Sequence, residues 1–422
     1  MLNKHIEKDP SCRDDFDPKS LSADAALEQI KAGVNRVRGI EKIAIREALN
    51  RILAEDIRSR INVPSGTNSA MDGYAVNSAD IPSEGTAGLN VLGTAWAGKP
   101  FDGSVTSGNC VRIMTGAIMP EGADTVVIQE DVQADGSGIR TDGSTRKGDN
   151  VRQAGEDIAA GDLILTAGRR LNPADIGLIA SLGIAEVSVV RRLRVAFFST
   201  GDELRSIGET LSDGAIYDSN RYTLHGMLER MGTDIIDMGV IKDDLEALEE
   251  AFAIAAANAD VLITSGGVSV GEADYIKEIL AKLGQVDFWK VAIKPGRPLA
   301  FGHVGDAVFF GLPGNPVSVM VTFYEFVQPA LRKMIGENDA GILTLKARCD
   351  SRLKKRPGRV EYQRGILQQD GDGNLVVVKT GAQGSGILTS MSQANCFIIL
   401  PIDSSGIEPG MYVDIQPFSG LV

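Results

Sequence analysis

Between Arg194 and about Met334 short apolar runs alternate with stretches whose apolar residues recur every three or four positions. RVAFFST (194–200), DIIDMGVI (234–241), DVLITSGG (260–267), FWKVAI (288–293) and AVFFGLP (307–313) have the length and composition of buried strands. RYTLHGMLERMG, DLEALEEAFAIAAAN, ADYIKEILAKLG and VSVMVTFYEFVQPALRKM carry the spacing of amphipathic helices. Strand and helix in alternation leave few solutions, because parallel strands need long crossovers and the crossover helices cover both faces of the sheet. The block 194–336 is therefore expected to be a central parallel α/β sheet domain.

The rest of the chain has a different texture. A length of 422 residues exceeds what one core usually organises, so an α/β multidomain protein is expected. Residues 1–20 mix charge with Pro10 and Pro18 and read as a mobile tail. Ser22 is a candidate N-cap for a helix carrying Ala26, Leu27, Ile30, Val34 and Val37, with Gly39 as its stop. From 61 to 155 short β runs are separated by Asp-Gly and Ser-Gly turns, which predicts a small, mostly β domain. Helical spacing returns over 172–183, so 21–60 and 156–193 are read as one discontinuous N-terminal helical domain, interrupted by the β domain as an insertion. Over 337–422, LTLKARCD, VEYQRGIL, NLVVVKT and NCFIILP point to a C-terminal β-barrel or sandwich.

Composition narrows the function. The formal net charge of −13 opposes nonspecific binding to nucleic acid or anionic lipid, so an anionic ligand needs a focused basic site. Cys12, Cys110, Cys349 and Cys396 show no CxxC pairing, and His5, His225 and His303 are the only histidines, which argues against a zinc cluster. No apolar run is long enough to span a bilayer, and the polar start lacks a signal-peptide core; cytoplasmic residence is expected.

In an open parallel sheet, ligands bind beyond the carboxyl ends of the strands. Gly201-Asp202-Glu203 follows the first strand there, and Ser265-Gly266-Gly267-Val268-Ser269-Val270-Gly271 the third. The glycine run suits phosphate oxygens held by backbone N–H groups, or else is only a tight strand-to-helix turn. Lys294 and Arg297 flank Pro295-Gly296 on a stiff loop fit to neutralise an oxyanion, or are two solvated cations. Glu203, Asp243, Asp244, Glu272 and Asp274 bring hard oxygen ligands near the same edge, which suggests Mg2+, although each aspartate also fits a helix cap. Pro313-Gly314-Asn315-Pro316 stiffens a turn that either walls a small pocket or merely starts the last helix.

Ordered along the chain are PSGTNSAMDGYAV (64–76), RIMTGAIMPEGADTVVIQED (112–131), GEDI (155–158), STGDEL (199–204), IYDSN (216–220), TSGGVSVGEADY (264–275), KVAIKPGRPLAFG (290–302) and LPGNPVS (312–318). Together these resemble the molybdopterin molybdotransferases, the family of bacterial MoeA and the E domain of gephyrin, over nearly the whole chain. The glycine loop alone is also similar to the molybdopterin adenylyltransferase domain; NSAMDGYAV separates the two.

The resemblance implies a central domain of molybdopterin-binding type in a four-domain subunit, paired as a homodimer. Its cleft would lie between the central domain of one subunit and the inserted β domain of the other, which brings in Asp72 and Thr115. It implies adenylylated molybdopterin and molybdate as substrates, Mg2+ as cofactor, and AMP and molybdenum cofactor as products. Ser265, Gly266, Gly267, Ser269 and Gly271 would cradle phosphate or adenylate, with Arg297, Pro313 and Pro316 beside them. Asp243 and Asp274, with Asp157, would hold the metal; Lys290 and Lys294 would balance oxyanion charge; Glu203 would position ligand or metal-bound water. Arg359 and Ser385 match family segments linked to molybdate or cleft closure, and Arg297 stands where many relatives have lysine. A molybdopterin adenylyltransferase and molybdoenzyme maturation proteins are the expected protein partners. The competing readings are a molybdopterin adenylyltransferase and a dimeric scaffold of the same fold.

Overall fold

The computed structural model describes residues 19–267, 274–338 and 341–418. The segment read as a mobile tail lies outside the described residues up to position 18, and so do Ser269, Gly271 and Glu272. The chain divides into two compact units, one of Met1–Glu41, Asn50–Ile52 and Val190–Val422, the other of Lys42–Leu49 and Leu53–Val189. The partition read from the sequence is finer than this division.

Helix α1 (Ala23–Gly33) is capped by Ser22, whose hydroxyl accepts the Ala25 amide at 3.2 Å. It stops at Gly33, short of the expected Gly39. A side chain at Gly33 would stand 2.8 Å from the Phe301 ring, and Val37 N donates to the Met334 carbonyl at 2.8 Å. Tertiary packing therefore turns the chain while the apolar periodicity is still running. α1 lies in the same unit as the central sheet.

The second unit holds a six-stranded sheet of β1 (Gly73–Val76), β2 (Thr86–Ala95), β3 (Asn109–Ile113), β4 (Thr125–Ile128), β5 (Val132–Asp135) and β6 (Gly138–Asp142), in the order β4-β1-β3-β2-β6-β5. This matches the mostly β reading of 61–155. In the same unit α2 (Pro173–Ser181) starts on a capping box between Asn172 and Asp175, with Pro173 in its first turn.

In the first unit the chain runs β7 (Arg194–Thr200), α3 (Ser219–Met231), β8 (Asp234–Ile241), α4 (Leu245–Asn258), β9 (Val261–Ser265), α5 (Asp274–Leu283), β10 (Gly284–Lys290), β11 (Pro298–Val304) and β12 (Ala307–Leu312). It then enters α6 (Pro316–Thr322), a π turn (Phe323–Val327) and α7 (Gln328–Met334). The sheet order is β8-β7-β9-β12-β11-β10. β9 and β12 are buried along their whole length, and Phe252 of α4 packs on Phe198 of β7 at 5.4 Å and on Phe309 of β12 at 5.6 Å. This is why these strands read as unbroken apolar runs.

The five strands expected from the sequence all run the same way, and the sheet contains one further strand, β11, that does not. β8, β7, β9 and β12 are parallel, but β11 lies antiparallel between β12 and β10. Only Gly305 and Asp306 separate β11 from β12, too few residues for a crossover, so the two strands form a hairpin. The strand expected at 288–293 also ends earlier, at Lys290; Ile293–Lys294 leaves the sheet and pairs with Val360 and Glu361 of the next domain.

That domain contains β13 (Leu345–Cys349), β14 (Val360–Gln369), β15 (Leu375–Lys379), α8 (Leu388–Gln393), β16 (Cys396–Leu400) and β17 (Tyr412–Pro417). The order β14-β15-β13-β17-β16 closes through a β14–β16 pairing, giving a five-stranded barrel. Its interior is filled by residues such as Ala347, Cys349, Val377, Ile398 and Ile415.

Candidate functional site

The loops that follow the carboxyl ends of the sheet strands converge, with one side of the barrel, on a cavity of about 1590 Å³. Each turn is shaped by a local requirement. A Cβ on Gly201, whose φ is +149°, would meet the Glu203 carboxylate at 2.7 Å, so glycine lets Glu203 fold back beside β7. At Gly266 (φ +93°) a side chain would sit 2.6 Å from the Thr200 carbonyl. Glu203, Ser265, Gly266 and Gly267 all line the cavity.

Asp243 and Asp244, adjacent after β8, separate into two roles. Asp244 caps α4, accepting the Ala247 amide at 2.9 Å, while Asp243 lines the cavity. Asp274 opens α5, and its side chain lies outside what is described.

The KPGRP loop bridges sheet and barrel. Lys294 Nζ stands 3.5 Å from Glu361 Oε1 on β14. Arg297 is 6% exposed and donates to Ser20 Oγ at 3.4 Å, so it is a wall residue and not a solvated surface cation. Pro313 and Pro316 line the same space. Arg359 and Ser385 reach it from the barrel side, and the Ser385 carbonyl accepts the Val317 amide at 3.0 Å. Lys290 ends β10, where its carbonyl accepts the Leu21 amide at 2.8 Å; it is not among the lining residues.

Arg364, which the sequence reading passed over, is the most deeply placed cation of the wall. It is 1% exposed, its Nε donates to Ser390 Oγ at 3.0 Å and its Nη2 to the Gly384 carbonyl at 3.1 Å. Burial draws its pKa down to about 10. Both hydrogen bonds go to neutral groups, so an anion in the cavity would meet a guanidinium already desolvated and held. The available signal was an arginine within the otherwise buried stretch of β14. Asp218 and Asn220, quoted in IYDSN but given no role, also line the cavity, as do Lys354 and Lys379.

Asp72 and Thr115 belong to the other unit, where the register Gly73↔Ile113 places them just beyond the paired ends of β1 and β3. Thr115 donates both its amide and its hydroxyl to Asp72 Oδ1, each at 2.8 Å. The amide bond first, then the hydroxyl bond, hold the Asp72 carboxyl below its ordinary range. Asp157 lies in the same unit, its amide donating to the Val63 carbonyl at 3.0 Å.

The cavity at the sheet edge is thus lined by glycine turns, by cations from the KPGRP loop and the barrel, and by carboxylates, a lining suited to a large anionic ligand. Three family models match in chain order: MoeA N-terminal region (domain I and II) over 21–183, probable molybdopterin binding domain over 196–333, and MoeA C-terminal region (domain IV) over 346–418. A molybdopterin molybdenumtransferase of Haemophilus influenzae is 46% identical over 390 residues, covering 90% of this chain and 95% of its own length. One from a Nostoc species is 38% identical over 379 residues, with 88% and 87% covered. A crystal structure of a molybdopterin biosynthesis MoeA protein from Pyrococcus horikoshii superposes with a TM-score of 0.83 at 30% identity, covering 95% of this chain and 100% of that one. The chain belongs to the MoeA family of molybdopterin molybdenumtransferases. Among the described residues no helix is long and apolar enough to cross a membrane.

Proposed function

We propose that this protein is a transferase that inserts molybdenum from molybdate into adenylylated molybdopterin, with release of AMP. The observation that carries the reading is the single cavity in which the glycine turn after β9, the Lys294–Arg297 loop and buried Arg364 face the same space. The Gly266–Gly267 turn, which has no side chains, would let phosphate oxygens approach the backbone closely; the Gly266 amide itself donates to the Leu312 carbonyl at 3.1 Å. Lys294, Arg297 and Arg364, with Arg359 and Ser385, would hold the oxyanion end, so that charge building on the phosphoanhydride as it breaks meets cations already in place. Lys290, at the end of β10, would help to balance oxyanion charge, and Glu203 would orient a bound water or ligand oxygen. Pro313 and Pro316 would keep the opposite wall stiff.

The donor set suits a shared Mg2+ better than a protein-only cage. Asp243 lines the cavity, and among the described residues no three His, Cys, Asp or Glu side chains cluster as a complete ligand group. Mg2+ takes one or two carboxylates and fills the rest with water and phosphate oxygens. Asp243 and Asp274, with Asp157, are the carboxylates assigned to it; when bound, it would neutralise phosphate charge. Asp72 and Thr115 form a built pair on the other unit, and the proposed homodimer would present that pair to the cavity of the neighbouring subunit. Cytoplasmic residence and contact with a molybdopterin adenylyltransferase and with maturation proteins complete this reading.

The test incubates purified protein with adenylylated molybdopterin, Mg2+ and molybdate, and measures AMP release and reconstitution of an apo-molybdoenzyme. Both should depend on molybdate and cease with a Mg2+ chelator. AMP release that ignores molybdate would sink the proposal.

A further inference from the structure

The turn Asp218–Asn220 at the start of α3 has no part in the scheme above, yet it carries two buried side chains of the cavity wall, 1% and 8% exposed. Asp218 Oδ1 caps α3 by accepting the Arg221 amide at 3.1 Å. Its other oxygen, Oδ2, has no hydrogen-bond partner among the described residues. Asn220 Nδ2 donates to the Gly314 carbonyl at 2.7 Å and to Ser265 Oγ at 2.9 Å. A carbonyl only accepts, so the amide orientation is fixed and Oδ1 is an acceptor; it too lacks a partner. Two acceptors, two residues apart, are thus held in the wall with no donor to them among the described residues.

Leaving such buried atoms unmatched is costly, and a folded chain rarely tolerates it without a use. Both residues belong to the cavity lining, so a ligand seated there can supply the missing donor once the wall adjusts to admit it. The turns beside them, Gly266–Gly267 and Gly314, have no side chains to displace; a Cβ on Gly314 would stand 3.9 Å from the Gly266 Cα. A metal ion is the poorer match. Asp218 sits at the N-terminus of a 13-residue helix, whose partial positive charge already offsets the carboxylate and repels a cation. Mg2+ also gives up its water reluctantly in a closed pocket. A neutral N–H donor meets neither objection.

We infer that Asp218 Oδ2 and Asn220 Oδ1 read the N–H donor edge of an amino-substituted heterocycle of the substrate, opposite the cations that take its anionic end. The inference rests on the function proposed above for its choice of substrate. That substrate carries two such rings. The pterin presents adjacent N3–H and 2-amino donors, suited to two neighbouring acceptors, and adenine presents a 6-amino group.

Asp218→Asn tests this with little change of shape. Its carbonyl oxygen keeps the cap on Arg221, because Asn caps as well as Asp, while an NH2 replaces Oδ2 and sets donor against donor. Full-length protein is titrated calorimetrically with 6-hydroxymethylpterin, its 2-oxo lumazine counterpart, AMP and IMP. Wild type should prefer the pterin to the lumazine, and Asp218→Asn should lose about tenfold or more of that preference with its unfolding midpoint retained. Loss of the AMP-over-IMP preference instead assigns the adenine edge and also supports the inference. If the midpoint falls, Asp218→Ser, which keeps a capping hydroxyl and removes the second oxygen, is used and should show the same loss.

Unchanged preferences in the variant overturn the inference. So does loss of Mg2+ binding with heterocycle preference intact. Wild type that discriminates through Asp218 but releases no molybdate-dependent AMP leaves the assignment standing and removes the proposed reaction.

Discussion

Glu325 lies in the π turn between α6 and α7, 9% exposed, and faces Tyr362 and Gln416 of the barrel. Burial raises its carboxyl from 4.5 to about 7, while hydrogen bonds with Tyr362 and Gln416 oppose the rise. Tyr362 lines the cavity, and burial together with Glu325 pushes its phenol far up, so it stays a hydrogen-bond donor. A raised carboxyl means that the folded chain holds the proton more tightly than the unfolded chain. Stability from this group is complete below pH 4.5, is lost as pH climbs toward 7, and remains lost above it. From 4.5 to about 7 the deficit integrates to about 3 kcal/mol.

Glu325→Gln removes the ionisation and keeps the shape. At pH 5 the variant should match wild type or fall slightly below it, because the new amide nitrogen also needs a partner where Oε1 now has none. At pH 8.5 it should be the more stable, by roughly 2–4 °C in midpoint per kcal/mol regained. The assay is thermal unfolding of both proteins from pH 5 to 8.5, followed through the transition of the unit that contains the barrel. A difference between the two midpoints that does not change with pH would refute the reasoning.

Two further variants probe the site. Thr115→Val deletes the hydroxyl bond to Asp72 but keeps the amide bond, the larger cause, so the Asp72 carboxyl should move part of the way back up. The acid limb of the pH–rate profile should move upward with it, and an unmoved limb would remove Asp72 from that limb. Arg364→Lys replaces the planar fork, whose Nε and Nη2 bond Ser390 and Gly384 separately, with a single ammonium, so KM for molybdate should rise about tenfold or more while the fold persists; an unchanged KM would show that the guanidinium does not hold the oxyanion.

Much of the architecture was legible because it is written in short-range patterns. Unbroken apolar runs marked β7, β9 and β12, and the spacing of Leu224, Met227, Leu228 and Met231 marked the buried face of α3. The candidate site was partly legible for the same reason: Glu203, Gly266 and Asp243 follow strands, and the carboxyl ends of parallel strands face one way. Arg364 and Asp218 were harder to see. Arg364 resembles an outward charge on a barrel strand until the 380–390 loop closes over it, and Asp218 resembles an ordinary N-cap until its second oxygen is found without a donor.

By itself the sequence determined the alternation of strands and helices, the glycines where φ turns positive, and the polar loops at one edge of the sheet. These depend on side-chain period and turn chemistry within a few residues. Only the tertiary structure decided that β11 runs against its neighbours, that α1 ends at Gly33 against Phe301, and that the barrel brings Arg359, Arg364 and Ser385 to the sheet-edge loops. Those outcomes depend on which distant segments meet and on what each buried charge then finds beside it, and neither is encoded in any local stretch of the chain.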